Sequence, residues 1–298
     1  MKIKHLLLGL LISLLLFSLS YSAENNKKKS DKKKEICLTF DELPASSGFH
    51  QVDREAVTYL ILETLKRNDI KTAGFIVGNT IEGAFDILGE WLNNGHVLGN
   101  MTYTNQDYHQ TLIEPFLDDI KQGHDAIEPM LAGFGQKKRY FRFPYLHYGN
   151  DITKKEQVDM YLDQHNYTVA HATIVIDDYL YNLSLEKLGQ KPDSADFEEL
   201  MNEYVNHVMD QVEQSEVLSI EMLNRPCRQI LQLRANRVNA VYLEDLIYAL
   251  KEAGYEFITL DKALQDELYR KATAYFGSKG VGYLNMLKFS DPDYLPAE

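Results

Sequence analysis

Cysteine is nearly absent from this chain of 298 residues, which has only Cys37 and Cys227. That excludes a disulfide-dense scaffold and leaves one bridge at most. If the strands holding Asp41 and Arg234 run side by side with their ends level, Cys37 lies opposite Ile230, three residues from Cys227. At about 3.3 Å per strand residue that offset is roughly 10 Å, too far to bridge. Two free thiols are expected. Basic charge is also short, with 31 Lys and Arg against 44 Asp and Glu and a formal charge of −13. Such a surface repels nucleic acid and anionic membrane, so no nucleic-acid partner is expected. No internal repeat at a fixed period is present, which removes solenoids and propellers.

The apolar run from Leu6 to Phe17 is too short for a membrane span. Lys2, Lys4 and His5 precede it and the small Ser20 and Ser22 follow, which is the three-part pattern of a secretory leader. Residues 1–22 are read as a signal peptide, with export to the periplasm, cell envelope or medium. Membrane attachment requires the leader to stay uncut, and no cysteine near the cut supports a lipid anchor. Without these residues 29 basic and 44 acidic side chains remain, a formal charge of −15. Residues 23–35 contain Lys27, Lys28, Lys29, Lys32, Lys33 and Lys34 and read as a solvated tether. Attachment to an anionic envelope polymer is the alternative.

With 45% hydrophobic residues the rest can bury one sizeable core. Short apolar strands are expected at 36–40, 72–77, 97–101, 140–145, 167–176, 230–234 and 257–260. Helical spacing fills six of the intervals, as in Val57, Leu60, Ile61, Thr64 and Leu65. Strands regularly separated by amphipathic helices imply a parallel sheet with both faces covered, closed or nearly closed as a distorted (β/α) barrel of about seven strands. The interval 180–226 exceeds one crossover, and Phe197, Leu200, Tyr204, Val208 and Val212 suggest a helical insertion on the surface. Residues 266–298 read as a C-terminal tail, whose segment beyond Phe276 shows no clear period and is assigned no function.

In parallel α/β folds chemistry collects at the carboxyl ends of strands, and five of those ends carry a pattern. Thr39-Phe40-Asp41-Glu42-Leu43-Pro44, Gly99-Asn100-Met101-Thr102-Tyr103-Thr104-Asn105, Phe141-Arg142-Phe143-Pro144-Tyr145, Val175-Ile176-Asp177-Asp178-Tyr179 and Leu231-Gln232-Leu233-Arg234 follow in order. Together they resemble the motifs of the polysaccharide deacetylases, the NodB-homology or carbohydrate esterase family 4 proteins, over residues 36–265. The closing helix and strand, from Leu246 to Leu264, follow the family closely as well.

The resemblance implies a metal-dependent deacetylase in which Asp41 is the base that activates water, Glu42 a metal ligand, and Arg142 the partner that orients Asp41. Tyr145, Tyr103 and Tyr179, with Tyr148, would line a glycan groove, and Asp178 keeps one of two family aspartates. Val175 replaces the other, for which Asp177 is a substitute. The departures fall on the chemistry. Met101 and Asn105 stand at the two metal-histidine positions, and a thioether and an amide are poor ligands for a zinc-like ion. Arg234 stands where the family has its acid histidine, and arginine cannot cycle a proton near neutral pH. His96, His109, His147 and His171 show no ligand spacing with one another, and His147 is the one expected to face the cleft.

The reading that follows is an exported, catalytically impaired, glycan-binding relative of the deacetylases with no cofactor. The alternative is an active glycan deacetylase with a shifted divalent-metal site using Glu42 and His147. A membrane-tethered scaffold without a groove is the third reading.

Overall fold

The computed structural model describes residues 33–45, 51–189 and 195–290. The leader and most of the Lys-rich tether fall outside the described residues, and among those described no helix is long and apolar enough to cross a membrane. The fold proper occupies the compact unit that begins at Glu35.

Eight strands form it: β1 (Lys34–Leu43), β2 (Ala73–Ile76), β3 (Val97–Asn100), β4 (Arg139–Phe141), β5 (Tyr167–Val169), β6 (Ile174–Val175), β7 (Gln229–Arg234) and β8 (Tyr255–Phe257). The helices are α1 (Gln51–Arg67), α2 (Phe85–Asn93), α3 (Ile113–Gly133), α4 (Ile152–Gln164), α5 (Asp178–Leu188), α6 (Ala195–Leu223), α7 (Arg237–Glu252), the single turn α8 (Leu260–Ala263) and α9 (Tyr283–Ser290). The sheet order is β5-β4-β3-β2-β1-β7-β6, and β8 pairs with β1 off that path. The pairs along it are parallel.

The stretch expected as one strand, 167–176, is two. Tyr167–Val169 pairs with β4, the Ala170 N–H donates to Phe141 O, and from Thr173 onward the same segment pairs with β7. One chain segment thus bridges both edges of the sheet and rounds it into a distorted barrel. Side chains alternate across each strand. Ile36, Leu38 and Phe40 of β1 and Leu231 and Leu233 of β7 pack outward with the helices, whereas Cys37, Phe75, Ile230 and Met101 belong to a second, inner cluster.

The register is the one the cysteine argument assumed: Cys37 pairs with Ile230, Thr39 with Gln232 and Asp41 with Arg234. Both thiols are free and buried, and burial pushes each up to about 12.

Two segments differ from expectation. The long interval after β6 is helical, but Phe197, Leu200, Tyr204, Val208 and Val212 are buried in the main core. The Tyr204 hydroxyl reaches Asn239 and the Tyr242 hydroxyl donates to Phe197 O at 3.0 Å. A 29-residue helix with one continuous apolar stripe buries that stripe, so α6 is a wall of the barrel, where a surface insertion was expected. The segment after residue 266 is also packed: Leu268, Tyr269, Tyr283, Leu284 and Met286 join the inner cluster, and the Tyr283 N–H donates to Ala172 O at 2.7 Å, beside the seam between β5 and β6.

Candidate functional site

Alternation along β1 and β7 sends Thr39, Asp41, Gln232 and Arg234 to the same face, at the carboxyl ends of the strands. Asp41 and Arg142 are both fully buried. Arg142 Nε lies 3.7 Å from Asp41 Oδ1, Arg142 Nη2 donates to Thr39 Oγ1 at 2.9 Å, and the guanidinium stands 4.6 Å from the Phe75 ring centroid. Gln232 donates to Asp41 Oδ2. Burial raises the Asp41 carboxyl above its usual range, opposed by Arg142 and Gln232. The expected pair therefore exists as an ion pair without a direct hydrogen bond. Asp41 Oδ1 and two guanidinium nitrogens of Arg142 have no hydrogen-bond partner among the described residues. Arg142 takes its anchor from Thr39, and Asp177, the expected substitute, instead lines a separate cavity beside α6.

The rim above this floor has been remade. Met101 is 2% exposed and packs in the inner apolar cluster. It is a core side chain that fills the position. Asn105 lines a cleft of about 170 Å³ with Glu42, Asn79, Thr80, Thr104 and Tyr145, and its Oδ1 has no partner among the described residues. Glu42 faces Arg234, whose Nε lies 3.7 Å from Glu42 Oε1. Asp178, fully buried, accepts from Arg234 Nη1 and from the Arg234 N–H, both at 2.7 Å, and from Asn239 Nδ2 at 2.7 Å. Asn239 is itself fixed by the cap of α7, where the Asn236 side chain accepts its N–H. Arg234 also lies 5.6 Å from the Tyr179 ring.

A cation is therefore built in between the two acids, and a zinc-like ion at the family position would find one paired carboxylate, one amide and no imidazole. That donor set does not fit a divalent metal. Asp178 holds Arg234 and not Arg142, which is a positioning role, where the resemblance implied a catalytic one.

Of the four tyrosines, Tyr145 lines the cleft and Tyr179 is 47% exposed beside Arg234. Tyr103 packs over Gly78, where a Cβ would come within 2.7 Å of its ring, and Tyr148 is buried against Phe143 with its hydroxyl 2.9 Å from His171 Nδ1. Neither is among the residues lining the cleft. The rim backbone is strained: Glu42, Thr102, Asn105, Tyr145 and Leu146 all have φ between 54° and 62°. Each such non-glycine residue costs on the order of 1–3 kcal/mol, and such residues cluster at functional sites.

Beyond Tyr145 stands a group missed in the sequence. His147 Nδ1 lies 2.6 Å from Asp107 Oδ1, the His109 N–H donates to the same oxygen at 2.9 Å, and the two imidazoles stack at 3.9 Å. The absence of ligand spacing among the histidines is thus corrected. His109 and His147 are 38 positions apart, and a turn through left-handed Tyr145 and Leu146 brings them together. Gln232 and Thr39 were the other omissions, although their position two residues before Arg234 and Asp41 places them on the same face.

The family model described as polysaccharide deacetylase matches residues 28–163. That match spans just under half of the chain, and over it the sequence is similar to the polysaccharide deacetylases. It is 31% identical over 113 residues to a peptidoglycan-N-acetylglucosamine deacetylase of Bacillus cereus, a match that covers 38% of this chain and 37% of that protein. The chain thus spans little more than a third of this curated relative. Among solved structures it is similar to the Bc1960 peptidoglycan N-acetylglucosamine deacetylase, with TM-score 0.54, 18% identity and coverage of 78% and 88%. It is likewise similar to BA3943 of Bacillus anthracis, a family 4 pseudoenzyme, with TM-score 0.52, 18% identity and coverage of 78% and 66%. These two structures establish the fold of a NodB-type deacetylase barrel for this chain.

Proposed function

We propose that this deacetylase-like protein is exported and binds an N-acetylated glycan of the cell envelope without hydrolysing it. The observation that carries the reading is Arg234: it stands at the acid position, pairs with Glu42 at the metal position and is locked by Asp178. Loss of a metal removes both the generator of the nucleophile and the main stabiliser of the oxyanion, effects worth several kcal/mol in the transition state. Asp41 and Arg142 persist, and a buried ion pair persists for structural reasons alone, since breaking one costs about 3–5 kcal/mol. Glycan binding draws on the cleft lined by Tyr145 and on exposed Tyr179, whose rings offer apolar faces for sugar stacking. The relatives support the class of ligand, one being named for peptidoglycan and another described as a pseudoenzyme. The alternative, hydrolysis through a shifted ion on Glu42 and His147, must contend with a Glu42 already paired with Arg234.

The test measures binding of chito-oligosaccharide and peptidoglycan fragments together with acetate release. The expected outcome is binding without acetate in the parent chain. In the triple variant Met101→His, Asn105→His and Arg234→His, acetate release should appear on addition of zinc or cobalt. Metal-dependent acetate release by the parent chain would sink the proposal.

A further inference from the structure

We propose that Asp107, His109 and His147 form a binding site for one divalent transition-metal ion of the zinc class, beside the cleft and separate from the family metal position. One ligand atom from each of the three lies within 4.8 Å of the other two, and all three residues are partly exposed. Two imidazoles and a carboxylate suit zinc, cobalt or nickel, and disfavour calcium and magnesium, which take oxygen donors.

The supporting shell is in place. His147 is held through Nδ1 by Asp107 Oδ1, and the other Asp107 oxygen accepts from Gln110 Nε2 at 2.8 Å. Asp107 is itself one of the three donors, so a bound ion takes the place of its contact with His147 Nδ1. The loop is braced as well: Thr111 Oγ1 donates to Asp107 O at 2.8 Å, Lys154 Nζ donates to the carbonyls of Tyr108 and Thr111 at 2.8 Å, and the Tyr108 hydroxyl donates to Lys154 O at 2.8 Å. The two rings lie parallel, with 1° between their planes. Their in-plane lone pairs then cannot meet one ion, so binding requires one ring to turn about its Cβ–Cγ bond. Tyr145, whose ring centroid is 5.9 Å from that of His147, lines the cleft together with Glu42.

The inference does not rest on the glycan reading. A chain that binds zinc here and no glycan keeps this proposal and loses the other. The experiment titrates the full chain with zinc and with cobalt by calorimetry, beside Glu42→Ala, His109→Ala and His147→Ala. One ion per chain is expected in the parent and in Glu42→Ala, with affinity at least about tenfold weaker in each histidine variant. In case a variant fails to fold, the imidazole nitrogen resonances of the parent are followed during the zinc titration. Those of His109 and His147 should move before the other histidines. No bound ion, binding unaffected by either histidine change, or binding abolished by Glu42→Ala overturns the proposal.

Discussion

The two ends of the barrel turn their chains in different ways. At the end where helices feed into strands, left-handed backbone falls on Asp69, Gly95, Gly135, Asn166, Asn224 and Gly254. These residue types adopt that conformation most readily, and each stands at or just after the close of a helix, where it caps the last turn. At the opposite end, where strands give way to loops, the same conformation falls on Gly83 and Gly149 and, unlike the first end, on the five residues Glu42, Thr102, Asn105, Tyr145 and Leu146. Four of these five carry side chains that disfavour it. The first end is built for stability, and the second stores strain that positions side chains over a cleft. The strained frame surrounds Asn105 and Tyr145, which line that cleft. Helix α3 helps to hold the frame, since a Cβ at Gly123 would lie 2.7 Å from the carbonyl carbon of Thr102.

The largest test of this contrast removes the floor of the site. Arg142→Ala leaves Asp41 buried without its cation and should cost about 3–5 kcal/mol of stability by denaturant titration. A loss under 1 kcal/mol would mean that the pair is functional only, and the proposal that it survives for structural reasons would fail.

The opposite end supplies a pH test of slightly smaller size. His96, 3% exposed, accepts the Thr72 N–H through Nδ1 at 3.2 Å, and burial, with Lys71 adding to it, pushes its pKa down to about 4. A depressed histidine is neutral in the fold and more easily protonated in the unfolded chain. Its contribution is therefore complete above the ordinary pKa near 6.5 and is lost as pH falls toward 4, on the order of 3 kcal/mol. His96→Asn keeps an acceptor for Thr72 and should flatten the stability profile between those values. The rise of the Asp41 carboxyl acts with the opposite sign, favouring the fold below the carboxylate range and weakening as pH rises through its folded value. An unchanged slope in His96→Asn would place the acid sensitivity elsewhere.

Much of the frame was legible in the sequence because it obeys local rules. The register of Asp41 with Arg234 followed from level strand ends, the free thiols followed from that register, and Met101 could be read as a packed side chain because a thioether suits a core. The helix ends at Gly95 and Gly254 announce themselves by glycine. Other features depend on long-range packing that no spacing encodes. That Asp178 would hold Arg234, that Tyr148 would turn inward and Tyr103 settle on Gly78, and that residues after 266 would cover the seam are consequences of which faces meet. The Asp107, His109 and His147 group is the sharpest case. Its assembly depends on two consecutive left-handed residues, Tyr145 and Leu146, at positions where propensity predicts neither.

The smallest expected effect tests the strain itself, by exchanging side chains between the two ends. Tyr145 has φ 56° and is 47% exposed, so Tyr145→Gly relieves backbone strain and removes little packing. The extra freedom that glycine gives the unfolded chain offsets part of the gain, leaving a rise in stability of about 0.5–1 kcal/mol. Gly254 has φ 82° with open space around its missing Cβ, so Gly254→Ala meets no clash and should still lose about 1 kcal/mol through backbone strain alone. Opposite signs for the two exchanges in thermal or denaturant unfolding are the expected result. If Tyr145→Gly also weakens glycan-fragment binding while stabilising the fold, the strain at the rim serves the cleft. If both exchanges destabilise, Tyr145 is an ordinary packing residue and the contrast between the two ends is one of composition only.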